Sequence, residues 1–257
     1  MRVENSFIPV TGVGEATERR LWQQGITHWD QFDSSVVGST IGDRVESYIE
    51  MAKPRLAEGD STFFAETFPG RSHWRLYETF RDAACFLDIE TTGLDFDRND
   101  VTVVSIHGND RTTTLVHGDD LTRDRLLEEL AAVSLVVTFN GKRFDIPFLE
   151  AAFEISIDLP HLDLMYPCRR IGLHGGLKGI EQTLGIDRGH DDISGRDAVR
   201  LWHKYERQND ISALETLIEY NRDDTVNLVS LADIVTDRLH ESVFDEVLDG
   251  QQDRLIE

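Results

Sequence analysis

Three segments of this chain carry acidic side chains at spacings that suit chemistry. The first is Phe86-Leu87-Asp88-Ile89-Glu90-Thr91-Thr92-Gly93-Leu94. Side chains alternate faces along a strand, so Asp88 and Glu90 share one face and Leu87 and Ile89 the other. Two carboxylates this close on a buried strand repel, and a cation between them, or protonation of one, relieves the repulsion. An exposed edge strand with two solvated acids fits the same spacing. The second segment is Thr138-Phe139-Asn140-Gly141-Lys142-Arg143-Phe144-Asp145-Ile146-Pro147-Phe148-Leu149. Here an apolar strand ends at Asn140-Gly141 and Asp145 stands near the start of the next helix. Asp145 can be an N-cap ahead of Pro147 in the first turn, a ligand, or both. Asn-Gly at a strand end also lets backbone approach a ligand closely. The third segment is Ile218-Glu219-Tyr220-Asn221-Arg222-Asp223-Asp224-Thr225-Val226. On a helix, Asp224 shares a stripe with Leu217, Tyr220, Leu228 and Leu231, whereas Asp223 shares one with Thr216, Glu219, Asn227 and Ser230. An aspartate on a core-facing stripe needs compensation, which a metal supplies. Asp223 reads as a solvated surface charge.

The donors are all oxygens, which suits Mg²⁺ or Mn²⁺. No Cys/His cluster suggests zinc, and no Gly-x-x-x-x-Gly-Lys-Ser/Thr loop suggests triphosphate binding. His161 and Asp163, in Leu159-Pro160-His161-Leu162-Asp163-Leu164, either support the acids from behind or simply end a strand.

The elements that must position these acids follow from pattern. Strands are expected at Ala83–Glu90, Val101–His107, Thr112–His117 and Leu135–Phe139, with Asn109-Asp110-Arg111 as a hairpin turn. Helices are expected at Leu121–Ala132, after Asp145, and at about Leu177–Leu184, Ala198–Tyr205 and Leu214–Leu239. Three hairpin-linked strands, then helix, strand, helix, is an α/β order: a mixed sheet, its first three strands antiparallel, flanked by helices. Residues 1–58 read as a small all-helical domain, with a helix from about Gly42 to Leu56 and Thr27 as an N-cap. Residues 59–80 are aromatic and turn-rich and read as a linker that becomes an edge strand. The α/β domain then occupies 81–257.

The chain has 257 residues, 40% of them hydrophobic, enough for one large core and a small second domain. No run of about 18 apolar residues is present, so no membrane partner is expected. The N-terminal Met1–Val10 stretch lacks the basic start and apolar run of a signal peptide. Cys85 and Cys168 are the two cysteines, which fits a reducing interior, and a cytoplasmic protein is the expectation. Lys plus Arg number 26 against 48 Asp plus Glu, a net charge of −22. Taken alone, that argues against a nucleic-acid partner. Lysine occurs only at Lys53, Lys142, Lys178 and Lys204, and an acidic, lysine-poor surface resembles that of proteins from salt-loving microbes. In molar salt the Debye length falls to about 3 Å, and local contacts then decide binding.

The three acidic motifs together resemble the DnaQ-like 3′→5′ exonucleases of the RNase H-like superfamily, in the subgroup with four acids and a tyrosine. Their surroundings, about residues 80–240, resemble the YprB-type RNase H-like family through Gly176-Leu177-Lys178, Glu181, Leu184-Gly185 and Asp192-Ile193-Ser194-Gly195. The resemblance implies that Asp88, Glu90, Asp145 and Asp224 hold two divalent metals and that Tyr220 orients the attacking water. It implies that Thr91, Thr92, Asn140 and Phe144 line the path of a terminal nucleotide. Phosphodiester hydrolysis needs an activated water and relief of charge on the leaving oxygen, and two metals about 3.5–4 Å apart supply both. The sister subgroup has His-x-x-x-x-Asp in place of Tyr-x-x-x-Asp. His240 and Asp245 have that spacing but fall past the long helix, so Tyr220 and Asp224 are preferred. A structure-selective endonuclease and a catalytically silent nucleic-acid-binding module are the alternatives, with a metal-binding interaction protein behind them.

Arg169, Arg170 and Lys178 are candidate phosphate contacts, or part of an ordinary mixed surface. Gly12-Val13-Gly14 with its flanking pattern resembles a helix-hairpin-helix, which offers backbone N–H groups to phosphates without reading sequence. The same segment also reads as a purely structural appendage. It tilts the expectation toward DNA over RNA, and a setting in DNA repair rests on family likeness.

Overall fold

A computed structural model describes residues 1–189 and 193–248. Asp192 of the Asp-Ile-Ser-Gly segment lies outside the described residues. The described chain forms two compact units. One contains Met1–Arg81 and the residues from Ile234 on; the other is Asp82–Asp233.

The first unit is helical: α1 (Glu15–Gln23), α2 (Ser39–Ala57), α3 (Ser61–Thr67) and α4 (Tyr77–Phe80), with 3-10 turns at Val3–Asn5, Trp29–Gln31, Ser34–Val36 and Gly70–Leu76. Residues 59–80 therefore form no edge strand. Their aromatics are spaced for helices instead: Phe64, Phe68, Trp74, Tyr77 and Phe80 are all buried, and Asp60 caps α3 by accepting from the Phe63 N–H. Thr27 is not an N-cap either. His28 holds that position, ahead of a single 3-10 turn, with its ring accepting from the Asp30 N–H. Glu18 and Arg75 are fully buried. Glu18 Oε1 accepts from Ser6 Oγ and the Phe7 and Ile8 N–H groups, and Arg75 Nη1 donates to both Glu18 oxygens at 2.9 and 2.8 Å. The carboxylate's lone pairs are met, although Arg75 Nε and Nη2 find no hydrogen-bond partner among the described residues; losing either residue strands the other's charge.

In the second unit, β1 (Ala84–Thr91), β2 (Val101–Gly108) and β3 (Arg111–Val116) come first, then α5 (Arg123–Leu130) and β4 (Leu135–Thr138). Next are α6 (Asp145–Phe153), β5 (His161–Asp163), α7 (Met165–Arg170), α8 (Leu177–Leu184), α9 (Gly195–Gln208) and α10 (Ile211–His240), whose residues from Ile234 on are counted with the first unit. The sheet order is β3-β2-β1-β4-β5, so β1 is central, not an edge. β1–β2 and β2–β3 are antiparallel; β1–β4 and β4–β5 are parallel. Asn109 and Asp110 turn the β2–β3 hairpin with φ of 52° and 58°, the left-handed pair that a two-residue loop demands.

Alternation sorts the two faces. Cys85, Leu87 and Ile89 pack with Val104, Ile106, Leu126, Leu130, Phe148 and Leu149 on the α5/α6 side. Val103 and Val116 pack with Ala198, Trp202, Leu217 and Tyr220 on the α9/α10 side. Each such side chain is worth about 1.5–3 kcal/mol when fully buried. The even-numbered residues of β1 thus face α10, and Asp88 and Glu90 are among them.

Candidate metal centre

Asp88 and Glu90, two residues apart on the central strand, meet Asp224 from α10. One carboxylate oxygen from each lies within 4.8 Å of the others. The β1–β2 register shifts between Glu90 and Thr91, which bends the sheet where the acids end. Asn221, fully buried one turn before Asp224, donates from Nδ2 to Asp88 Oδ2 at 2.7 Å. The Tyr220 hydroxyl hydrogen-bonds Asp224. Tyr220 and Asp224 are both buried, as their shared stripe requires, while Asp223 is half-buried.

Asp145 stands beside this trio rather than within it, and is 4% exposed. It is not an N-cap: Phe144 holds that position and Asp145 is the first residue of α6. The turn before it is built tightly. Asn140 takes φ of 66°. A Cβ on Gly141 would meet Thr138 Oγ1 at 2.2 Å, so only glycine fits. Asp163, at the end of β5, accepts from the N–H groups of Asn140 at 2.7 Å, Lys142 at 3.2 Å and Met165 at 3.1 Å. His161 Nε2 lies 2.8 Å from Thr138 Oγ1. Asp163 and His161 thus hold the turn that aims Asp145.

The electrostatics ask for positive charge. Burial, then Asp145, Asp224 and Glu90, push the Asp88 carboxyl well above its ordinary value, although Asn221 pulls it down. Burial, then Asp224 and Asp145, do the same to Glu90. Burial lifts Asp145 to about 7, with Asp163 adding to it and backbone hydrogen bonds at Asp145 and Ile89 opposing. Asp224 is raised by burial against the pull of Arg188 and Tyr220. Tyr220 is raised by burial and by Asp224, Glu90 and Asp88. Hard oxygen donors in low dielectric, each destabilised as an anion, fit a hard divalent cation.

Arg188, in the segment between α8 and α9, was not among the site residues expected from the sequence. Its guanidinium pairs with both Glu181 and Asp224 and lies 5.9 Å from the Tyr220 ring centre. Asn221 was missed as well, although it lies four residues after Leu217 and three before Asp224, on the same stripe.

Of the residues expected to line a nucleotide, Thr91 and Thr92 follow Glu90 in the chain, and Asn140 and Phe144 precede Asp145. Thr91 Oγ1 donates to the Gly93 carbonyl at 2.6 Å, and Thr92 Oγ1 accepts from the Asp100 N–H at 2.9 Å, so both hydroxyls organise the loop after β1. Phe144 packs on Phe148 with ring centres 4.8 Å apart, next to the half-buried Asn140. Arg169 and Arg170 are exposed at the end of α7, and Lys178 is half-buried in the first turn of α8. In the first unit, Gly12 has φ of 99° and Gly14 is the N-cap of α1, preceded by the 3-10 turn Val3–Asn5. His240 and Asp245 pair with each other at 3.3 Å, also in that unit.

No curated protein matches the chain. Among solved structures it is similar to the family B DNA polymerase of the hyperthermophilic archaeon Pyrobaculum calidifontis (17% identity, TM-score 0.49), over 59% of this chain and 24% of the polymerase. It is also similar to Brucella melitensis NrnC (19% identity, TM-score 0.47), over 68% of this chain and 83% of NrnC. NrnC has been solved with bound Mg²⁺ and bound to pGG. No helix of the described residues is long and apolar enough to cross a membrane. Residues 85–236, which span the five-stranded sheet and the acids it carries, match the sequence model of the RNase H superfamily, and this chain belongs to that superfamily.

Proposed function

We propose that this chain is a metal-dependent nuclease that hydrolyses phosphodiester bonds, trimming DNA from a 3′ end with two divalent ions, Mg²⁺ or Mn²⁺. The observation that carries the reading is the convergence of Asp88, Glu90 and Asp224, with Asp145 buried beside them, on an RNase H fold. A phosphodiester is an anion, and its hydrolysis concentrates charge on the leaving oxygen. Bound divalent ions supply Lewis acidity and a nucleophile at neutral pH. Asn221 fixes the Asp88 carboxylate for this task, and Asp163 fixes the turn that aims Asp145. Tyr220 keeps its proton, because burial and three carboxylates oppose its ionisation. It therefore orients an attacking water as a hydrogen-bond partner and does not act as the base.

In this reading Thr91, Thr92, Asn140 and Phe144 flank the terminal nucleotide, and Arg169, Arg170 and Lys178 meet the backbone phosphates. A helix-hairpin-helix-like domain, 1–58, grips the duplex at Gly12 and Gly14. Residues 59–80 join it to a YprB-type exonuclease domain, 81–257. A cytoplasmic role in DNA repair, in a salt-loving source, fits the composition. A second reading, a catalytically silent nucleic-acid binder, is favoured by the ion pair of Arg188 with Asp224, which already gives one acid a cation.

The test uses 5′-labelled single-stranded DNA, matching RNA and circular DNA. Each is incubated with Mn²⁺, Mg²⁺ or EDTA, at low and molar salt, beside an Asp88→Ala/Asp224→Ala double variant. The expected outcome is a metal-dependent ladder that shortens from the 3′ end of DNA and vanishes in the variant. Cleavage of circles would indicate an endonuclease. Tight binding without turnover under every condition would favour the silent module.

A further inference from the structure

A guanidinium paired with one of the clustered carboxylates needs a reason. Arg188 is 2% exposed in its side chain, and its partners Glu181 and Asp224 are 0% and 9% exposed. The flanking backbone is pinned to α10. The Asp187 carbonyl accepts from Asn227 Nδ2 at 3.0 Å, and a Cβ on Gly189 would meet Asp223 Oδ2 at 2.5 Å. The backbone at 188 is therefore held while the long side chain reaches inward, so any movement of the guanidinium falls to its side-chain torsions.

We propose that Arg188 is the resident counter-cation of this carboxylate set, releasing Asp224 when a divalent ion binds and then holding a phosphate of the bound strand. The inference rests on the metal-dependent reading above. Asp224 Oδ1 accepts from Arg188 Nη2, and that oxygen cannot serve a divalent ion at full strength while a like charge sits on it. Arg188 must draw back for Asp224 to become a ligand. Glu181, buried on α8, keeps hold of the other edge of the fork. A planar guanidinium anchored at one edge presents the other to an anion, and a phosphate matches its geometry. Asp224 is thus compensated before a metal arrives, and the same cation serves the ligand-free and the substrate-bound states. The arrangement also puts one fixed positive charge beside the site in a chain of net charge −22.

Calorimetric titration of the full chain with MnCl₂ alone compares wild type, Arg188→Gln and Arg188→Lys. Arg188→Gln removes the competing charge, and Mn²⁺ is expected to bind about tenfold more tightly, a difference of about 1.4 kcal/mol. Its KM for a DNA oligonucleotide should rise, with kcat changed less. Arg188→Lys keeps the charge and loses the fork, so Mn²⁺ affinity should stay near wild type while KM rises. Titration of wild type with Mg²⁺, followed at the Arg188 Nε–Hε NMR resonance, needs no substitution; that resonance should shift in step with binding. Equal or weaker Mn²⁺ binding by Arg188→Gln, a KM unmoved in both variants, or a resonance indifferent to saturating Mg²⁺ would overturn the inference. Failure of wild type itself to bind Mn²⁺ would overturn the metal-dependent reading beneath it.

Discussion

Burial pushes the Asp145 carboxyl up to about 7, so in the proposed centre it would report whether a cation is held. Its ordinary value is 3.8, so the folded chain favours the protonated form. The stability this contributes is fully present below the unfolded value and is lost as pH rises through the folded one. Asp88 and Glu90, also raised, act in the same direction. In EDTA the melting temperature should therefore fall as pH rises from about 4 to about 8, and added Mg²⁺ should restore it at the upper end. The many other acids also repel less at low pH, so Asp145→Asn isolates the local effect. That variant should melt higher than wild type near pH 8 in EDTA and gain less from Mg²⁺. A variant that tracks wild type at every pH would show that Asp145 does not report the cation. Asp88, Glu90, Tyr220 and Asp224 were legible in the sequence because strand alternation and helical stripes are local rules. Arg188 was not, because its partner Asp224 lies 36 residues away, and a loop arginine looks solvated until the fold supplies its carboxylates.

The turn between β4 and α6 shows how an element delivers a residue it does not contain. Asn140-Gly141 closes against Thr138, Asp163 gathers three N–H groups around it, and α6 begins at Asp145. Gly141→Ala would drive a methyl into Thr138 Oγ1, 2.2 Å from the built position. Overpacking of this kind costs about 1–3 kcal/mol, which should appear as a lower urea midpoint. Because the turn aims Asp145, Mn²⁺ affinity should fall too. An unchanged midpoint with unchanged metal binding would mean that the turn relaxes at no cost and that Asp145 is placed by something else. Four of the five strands of the second unit were readable from periodicity, the three-residue β5 (His161–Asp163) being too short to show one, and the antiparallel order of the first three followed from their hairpin links. Residues 59–80 were misread because Phe, Thr and Tyr favour strands in isolation. Burial of Phe64, Phe68, Tyr77 and Phe80 overrode that preference, and the Asp60 cap was the signal available.

Over the whole molecule, a net charge of −22 repels the polyanion that the centre is proposed to cut. Two long-range terms oppose each other. Arg169, Arg170, Lys178 and Arg188 would attract phosphate, and basic contacts make affinity fall as salt rises. The acidic excess repels, and that repulsion fades as the Debye length shrinks from about 10 Å at 0.1 M to about 3 Å at 1 M. The excess is global and the basic set is small, so screening should remove more repulsion than attraction. Buried pairs such as Arg188 with Glu181 are screened least and keep their geometry in salt. The initial rate on a long DNA strand at low concentration should therefore rise between about 0.1 M and about 1 M KCl. The rate on a dinucleotide, which meets little of the long-range field, should change far less. A steep fall on the long strand would mean that local basic contacts outweigh the acidic surface. Parallel curves for both substrates would move the salt effect from encounter to the stability of the fold.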